Sequence, residues 1–306
     1  MLRISIEKKT LHFKQPAGTS RGVYTERDIW LLTMYDTCSP ENVGVGECAP
    51  LPDLSCDASE NYEKRLREIC NVVEQTGRID GSLLSPYPSM LFGLETAYLN
   101  MKNGRYLFDT PFSHGRCGIP INGLVWMGTA EEMNLRMEEK IKAGFSCVKL
   151  KIGAIDFESE LALVKSIRKR FSKDVIELRV DANGGFSPAE AMDRLEVLAR
   201  YDIHSIEQPI RQKQWSEMAR LCSTTPLPIA LDEELRGVNM KAMKEELLSV
   251  IKPQYIVLKP TLHGGMRGTE EWVALARQHG IDSWITSALE GSVGLNAVAQ
   301  LTSHVY

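Results

Sequence analysis

The stretch CVKLKIG, residues 147–153, is followed at repeat distance by similar stretches that each combine a short apolar run with a charged residue. They are IELRVDAN (176–183), IHSIEQPI (203–210), IALDEE (229–234) and YIVLKPTL (255–262). Three acids close successive runs, Asp181, Glu207 and Asp232, and they are 26 residues (181 to 207) and 25 residues (207 to 232) apart. One strand plus one helix has this length, so the spacing predicts a β/α repeat that brings the acids to equivalent positions.

The repeat extends in both directions along the chain. Further strands are predicted at IPINGLVWM (119–127) and IDSWITSALE (281–290), and the helical runs are 130–143, 156–171, 188–201, 214–223, 239–249, 267–279 and 292–303. Seven strands alternating with helices predict the α/β class and a (β/α) barrel. An eighth strand is not visible before Tyr306. We therefore expect either a truncated form, which we favour, or an unusual closure of the barrel.

The first 115 residues have a different pattern. Alternating strands are predicted at 2–13 and 28–35, and helices at 59–75 and 89–101. This order predicts an α+β capping domain over residues 1–115, with the barrel as the catalytic domain over residues 116–306. Two stretches rich in turn-forming residues, 15–28 and 44–55, are long enough to be loops that cover a substrate.

Composition limits the class of protein. The 306 residues are 43% hydrophobic and 25% charged with a formal net charge of −4, which argues against a nucleic-acid partner. The seven cysteines are scattered, and neither a signal peptide nor an apolar stretch of membrane-spanning length is visible. We expect a cytoplasmic protein without a membrane partner, and a homo-oligomer is left open. The six histidines form no cluster and receive no role.

The three acids predict a metal site. In a parallel barrel the C-terminal strand ends converge on one mouth, so Asp181, Glu207 and Asp232 would surround a common point. Three carboxylates would repel one another there unless a cation joined them. Hard oxygen ligands with no His or Cys beside them favour Mg²⁺, with Mn²⁺ as a substitute ion.

Lysines are predicted on either side of these acids. Lys149 and Lys151 are two residues apart on one strand, so both point into the barrel, where the acids supply counter-charge. A nearby Mg²⁺ and a second ammonium would lower the pKa of Lys151 and let it act as a base. Lys259, four strands further on, would stand across the mouth. The pair could address opposite faces of one substrate and remove a proton beside a carboxylate, with the metal stabilising the developing charge.

Each residue taken alone has a simpler explanation. Asp181 could open a turn, Asp232 could cap a helix, Glu207 could be an exposed loop acid and Lys259 could extend from a strand end to solvent. Jointly, charged groups at equivalent strand ends favour the functional interpretation. The glycines at 264–265 and 291–294 precede helices and could offer backbone N–H groups to an anion, although tight turns need glycine in any case.

These motifs resemble the enolase superfamily, in its muconate-lactonising branch. The resemblance rests on KLK (149–151), DAN (181–183), EQP (207–209), DEE (232–234) and LKP (258–260), in the family's order. It implies that Lys151 and Lys259 are the acid/base pair and that Lys149 supports Lys151. The remaining implied roles are metal ligation by Asp181, Glu207 and Asp232, contacts that support the ligands and lysines by Asn183 and Glu233, and substrate contacts by Ser287 and Glu290.

Within that branch, three motifs look most like the o-succinylbenzoate synthase family: PAGTSRGV (16–23), GECAPLPDLS (46–55) and KPTLHGG (259–265). The reaction implied is the dehydration of a small cyclohexadiene carboxylate through an enediolate. An N-acylamino acid racemase or dipeptide epimerase is the nearest alternative, because the same lysine pair could exchange an alpha proton from either face. A muconate cycloisomerase, or a barrel that binds Mg²⁺ or a carboxylate without turnover, are further alternatives.

Overall fold

The computed structural model describes residues 1–19, 22–125, 129–153 and 156–306. The strands in these ranges are β1 Leu2–Thr19, β2 Gly22–Asp36, β3 Ser39–Cys48, β4 Gly123–Val125, β5 Cys147–Lys151, β6 Glu177–Asp181, β7 Ser205–Glu207, β8 Ile229–Leu231, β9 Tyr255–Leu258 and β10 Asp282–Ile285. The helices are α1 Tyr62–Thr76, α2 Gly81–Leu84, α3 Pro88–Asn103, α4 Ala130–Lys142, α5 Phe157–Arg170, α6 Pro188–Ala199, α7 Trp215–Thr224, α8 Lys241–Ile251, α9 Gly265–Gln278 and α10 Ser292–Val305.

The N-terminal strands form an antiparallel sheet in the order β1-β2-β3, and we call this sheet together with α1, α2 and α3 the capping unit. The interpretation of residues 15–28 as a loop was wrong for most of the stretch, because β1 continues to Thr19 and β2 starts at Gly22 after a register shift beyond His12. Ser20 and Arg21 of that stretch lie outside the described residues. The stretch 44–55 was also partly misread, since its first half is the end of β3.

β3 was not predicted from the sequence because its glycines are typical of turns. A Cβ on Gly46 would lie 1.9 Å from the carbonyl oxygen of Gly93, and one on Gly44 would lie 2.0 Å from that of Ala97. Both carbonyls belong to α3, so the helix backbone packs directly on the strand. Glycine is needed here for close approach rather than for a turn.

The second sheet is parallel and contains seven strands in the order β10-β9-β8-β7-β6-β5-β4. This is the predicted α/β architecture as an open, incomplete barrel, and β4 and β10 are its two edges within the described part of the chain. The predicted first strand at 119–127 is shorter than expected, beginning at Gly123, and its residues Trp126 and Met127 fall outside the described ranges.

Three hydrophobic clusters hold these layers together. The largest lies between the parallel sheet and its helices, and a second lies between the antiparallel sheet and α1 and α3. A third, containing Phe92, Met266 and Leu301, joins α3 to α9 and α10. The capping unit is therefore attached to the end of the incomplete barrel. No helix in the described ranges is both long and apolar enough to cross a bilayer.

Candidate active site

Backbone register places the predicted residues in one row. Lys151 is the register partner of Asp181, and Asp181 is the partner of Glu207 on the next strand. Asp232 directly follows β8 and Lys259 directly follows β9. All five residues stand at the C-terminal ends of neighbouring parallel strands, as the repeat spacing predicts. The three carboxylic side chains are at most 6% exposed.

Both lysines of β5 point at the acids. The Lys149 ammonium donates to Oδ2 of Asp181 over 2.9 Å and to Oε2 of Glu207 over 2.8 Å. The Lys151 ammonium donates to the same Oδ2 over 2.6 Å and to Oδ1 of Asn183 over 2.8 Å. Their side chains are 14% and 13% exposed. These ammonium groups thus neutralise two acids that burial would otherwise make costly to ionise.

The opposite side of the row has its own ion pair. The Lys259 ammonium donates to Oδ2 of Asp232. The backbone N–H of Lys259 donates to Nδ1 of His263 over 3.0 Å, and this histidine is completely buried. His263 received no role from the sequence, because nothing in the spacing of the six histidines links it to a lysine four residues earlier.

Asn183 and Glu233, which are predicted to support the catalytic and metal-binding residues, also lie beside the row. The amide of Asn183 accepts from Lys151 and donates over 3.0 Å to Oε1 of Glu233. Asn183 has a φ of 45°, a left-handed conformation that asparagine tolerates better than most residues. It connects the end of β6 to the turn after β8.

Gln208 is a further buried residue that the sequence reasoning missed. Its Oε1 accepts from the backbone N–H groups of Asp232 and Glu234, each over 3.3 Å, and its Nε2 donates to Ile210 and Glu234. It therefore supports the turn that carries Asp232. The only signal was its position between Glu207 and Pro209 in the EQP motif.

The carboxylates provide oxygens suited to a divalent cation. Oε1 of Glu207 and Oε2 of Glu233 are buried and accept no hydrogen bond from the described residues. In the conformation seen, no three acidic, His or Cys side chains in the described ranges form a ready-made metal cluster. The ammonium of Lys149 instead lies between Asp181 and Glu207. By donor type and by unpaired buried oxygens, the residues fit a hard cation such as Mg²⁺.

Electrostatics differ between the neighbouring acids. Burial raises the pKa of the Glu207 carboxyl to about 8, and the charge of Asp181 adds to this effect. Burial also disfavours ionised Asp181, but the ammonium groups of Lys149 and Lys151 outweigh it and hold its pKa well below the usual range. Burial lowers the pKa of Lys149, whereas the charges of Asp181 and Glu207 outweigh that and leave it raised. Positive charge is thus concentrated beside Asp181, whereas Glu207 has less positive charge nearby to offset its burial.

A cavity of about 1170 Å³ opens onto this row. Lys149, Lys151, Asn183, Asp232, Glu233 and Lys259 line it together with residues of β10, α10 and the segment 117–122. Leu51 and Leu54 from the predicted covering stretch 44–55 reach it as well.

The two predicted substrate contacts differ in position. Ser287 lines this cavity, but Glu290 is not among its lining residues. The Glu290 carboxylate instead accepts from the Thr261 hydroxyl over 2.6 Å and from the Ala288 N–H over 2.7 Å.

Carboxylates of the capping unit bind N–H groups at both glycine-rich helix starts. Glu95 of the capping unit accepts from Met266 in the first turn of α9 over 2.6 Å. Glu47 accepts from Gly291 and Gly294 at the start of α10 over 2.6 and 2.9 Å. Protein carboxylates therefore occupy both positions that the glycine motifs suggested for a ligand.

The simpler explanations apply only in part. Oδ1 of Asp181 does accept from the N–H of Asn183 over 3.1 Å, as a turn-opening aspartate would. Its other oxygen is used by the two lysines. Asp232 makes no side-chain cap to the turn that follows it. Glu207 is 1% exposed, so it is not a surface loop acid.

Known proteins have sequences and folds similar to those of this chain. Residues 132–306 match the family model described as "Enolase C-terminal domain-like". The chain is 42% identical to an o-succinylbenzoate synthase of Desulfotalea psychrophila, over 99% of this chain and 90% of that protein. It is 24% identical to an L-Ala-D/L-Glu epimerase of Bacillus subtilis, over 99% of this chain and 85% of that protein.

Solved structures agree with the sequence relatives. The crystal structure of MenC from Desulfotalea psychrophila superposes with a TM-score of 0.82 at 38% identity, covering 99% of this chain and 90% of the other. An o-succinylbenzoate synthase from Thermosynechococcus elongatus, crystallised with Mg in its active site, superposes with a TM-score of 0.77 at 25% identity, covering 98% and 88%. The chain belongs to the enolase superfamily and, within it, to the o-succinylbenzoate synthase family.

Proposed function

We propose that this chain dehydrates 2-succinyl-6-hydroxy-2,4-cyclohexadiene-1-carboxylate to o-succinylbenzoate, a step of menaquinone biosynthesis, in the presence of Mg²⁺. Residues 1–115 would act as the cap and residues 116–306 as the catalytic domain. The observation that carries the proposal is the row of strand ends. It sets Lys151 and Lys259 on two sides of Asp181, Glu207 and Asp232, and Lys151, Asp232 and Lys259 line one cavity.

The chain's own residues would carry the proton transfer. Lys151, as the neutral amine, takes the proton from the carbon next to the substrate carboxylate and becomes an ammonium, which leaves negative charge on that carboxylate as an enediolate. The ring C–O bond then breaks, the hydroxyl leaves with the equivalent of the removed proton as water, and the ring becomes aromatic. Lys259 places its positive charge on the other side of the enediolate. Asn183 holds Lys151, and Asp232 holds Lys259, through the hydrogen bonds described above.

Asp181, Glu207 and Asp232 would hold the metal, and the buried unpaired oxygen of Glu207 supports this assignment. A bound Mg²⁺ would supply positive charge opposite the charge that develops on the substrate carboxylate. Lys149 would keep Asp181 and Glu207 compatible with burial before the cation arrives.

The test is dehydration followed by ultraviolet absorbance with Mg²⁺, with EDTA, and with Lys151→Ala. Lys173→Ala is a suitable control, because that lysine is 63% exposed and pairs with surface Asp202 at 3.5 Å. We expect turnover in the wild type and in the control, and none with EDTA or with Lys151→Ala. A folded, Mg²⁺-binding wild type without turnover would reject the proposed reaction.

The positions of the two lysines also support a second candidate activity, the exchange of an alpha proton. Lys151 and Lys259 flank the acids, which is the arrangement needed to remove and return a proton on opposite faces. Exchange of the alpha proton of an N-acylamino acid or a dipeptide into deuterated buffer would measure it. Exchange without any dehydration of the cyclohexadiene substrate would favour the racemase or epimerase over the dehydratase.

A further inference from the structure

The loop between β10 and α10, residues 286–291, forms one wall of the cavity. Its residues Thr286, Ser287, Ala288 and Leu289 all line the space that opens onto the lysines. Leu289 has a φ of 61°, a left-handed conformation that a leucine rarely adopts and that costs free energy. Contacts from outside the loop must therefore hold this shape.

Glu47, at the end of β3 in the capping unit, makes one set of those contacts. The side chain is completely buried, Oε1 accepts from the N–H of Gly291, and Oε2 accepts from the N–H of Gly294. A Cβ on Gly291 would lie 2.8 Å from Oε2, so a larger residue there would displace the carboxylate from this position. The carboxylate also lies at the positive end of the 14-residue helix α10, which adds to its attraction.

Arg27, on β2, makes the second set. Its guanidinium is 3% exposed and donates to the carbonyl oxygens of Ala288 in the loop and Ala49 in the capping unit. Ala49 is two residues after Glu47, so the two charged side chains act from the same corner of the capping unit. Together they fix the backbone on both sides of Leu289.

The loop is also connected to the segment that follows Lys259. Glu290 accepts from the Ala288 N–H and from the hydroxyl of Thr261, which is two residues beyond Lys259. A shift of the loop would disturb the cavity wall that residues 286–289 form. The strand ends that carry Asp181 and Glu207 make no hydrogen bond to residues 286–291 among the described contacts.

We propose that Glu47 is a positioning residue that sets the β10–α10 loop, so that residues 286–289 form the wall that selects the substrate. Arg27 supports it from the same corner. The capping unit thus shapes substrate recognition through the backbone of the barrel, without contacting the substrate at this point. The proposal rests on the proposed function for the identity of the substrate, but not for the holding of the loop.

The test compares Glu47→Gln and Glu47→Leu with Asp57→Asn. Glutamine keeps one acceptor and leucine keeps neither, so the effect should be graded. Asp57 is a matched control: it is a buried carboxylate between β3 and α1 that accepts from the N–H and the hydroxyl of Ser89 over 2.9 and 2.6 Å, and Ser89 lies in α3 rather than in the loop. Steady-state kinetics and amide hydrogen exchange of residues 286–294 are measured on each variant.

We expect Glu47→Gln to raise KM about tenfold with kcat changed by less than about threefold, and to speed exchange within residues 286–294. Mg²⁺ affinity should stay unchanged, and Asp57→Asn should alter neither KM nor local exchange even if it lowers stability. Unchanged exchange and KM in Glu47→Gln, or equal changes in Asp57→Asn, would overturn the proposal. If the wild type performs no dehydration, the proposed function fails separately, and the exchange comparison still decides whether Glu47 holds the loop.

Discussion

Lys151 and Asp181 are register partners on adjacent parallel strands, and the ammonium of one donates to the carboxylate of the other over 2.6 Å. Because Asp181 also accepts from Lys149, it keeps a counter-charge when Lys151 is removed. The proposed base can thus be removed with little structural cost.

We therefore predict that Lys151→Ala lowers kcat by at least about 10³-fold, since general base catalysis commonly contributes 10²- to 10⁴-fold. Thermal unfolding of the variant should remain cooperative. The measurement is kcat beside a circular dichroism melt. Retention of more than about a tenth of the wild-type kcat would show that Lys151 is not the base.

Lys149 should matter for the stability of the fold, whereas Lys151 should matter for kcat. Removal of Lys149 leaves Asp181 and Glu207 close together with less positive charge, so Lys149→Met should lower the free energy of unfolding in EDTA by at most about 3–5 kcal/mol. Added Mg²⁺ should restore part of that loss, because the cation supplies the missing charge. Chemical denaturation with EDTA and with Mg²⁺ tests this. An equal loss in both conditions would contradict the charge-balance explanation.

Asp232 and Glu234 are near neighbours with different surroundings. Asp232 lines the cavity, whereas Glu234 accepts from the Trp215 indole over 2.8 Å and the Lys213 N–H over 2.7 Å. We predict that Asp232→Asn weakens Mg²⁺ binding by at least about tenfold and that Glu234→Gln leaves it nearly unchanged. Titration calorimetry of both variants measures the difference. Equal losses would place the metal elsewhere or imply that the whole turn moves.

Glu95 should give the stability of the fold a pH dependence. Burial raises the pKa of Glu95 from 4.5 to about 7, against the opposing effect of the Met266 N–H. Between these values the folded chain holds a proton that the unfolded chain has released, so the free energy of unfolding falls as the pH rises. The loss is complete above the folded pKa and amounts to about 3 kcal/mol at most.

Glu95→Gln removes this titration. The free energy of unfolding of the variant relative to that of the wild type should therefore be higher at about pH 8.5 than at about pH 5. Urea denaturation at the two pH values measures the difference. Parallel profiles for the wild type and the variant would mean that Glu95 does not titrate in this range.

The close packing of β3 on α3 predicts a stability effect. Gly46→Ala puts a methyl group 1.9 Å from the Gly93 carbonyl oxygen, so the strand and the helix must separate. We expect a loss of about 1–3 kcal/mol or more in the free energy of unfolding. Gly118→Ala is the control, because a Cβ there meets nothing within 4 Å. Equal stability of the two variants would contradict the packing explanation.

The repeat and its acids could be predicted because strand period and strand-end position are local properties of the sequence. Lys149, Lys151 and Asp181 needed only alternation and spacing to be placed on one face. β3 could not be found in this way, since Gly44 and Gly46 are typical of turns and are required here by a helix some 50 residues away in sequence. The roles of Glu47 and Arg27 likewise depend on contacts between distant segments.

The row of register partners restricts how this protein can change in length. Side chains alternate between the two faces of a strand, so one inserted residue inside β5, β6 or β7 would turn Lys151, Asp181 or Glu207 away from its partners. An insertion in a loop leaves the row intact. Gene variants that gain or lose codons should therefore tolerate them between the strands and lose the chemistry when they fall within one.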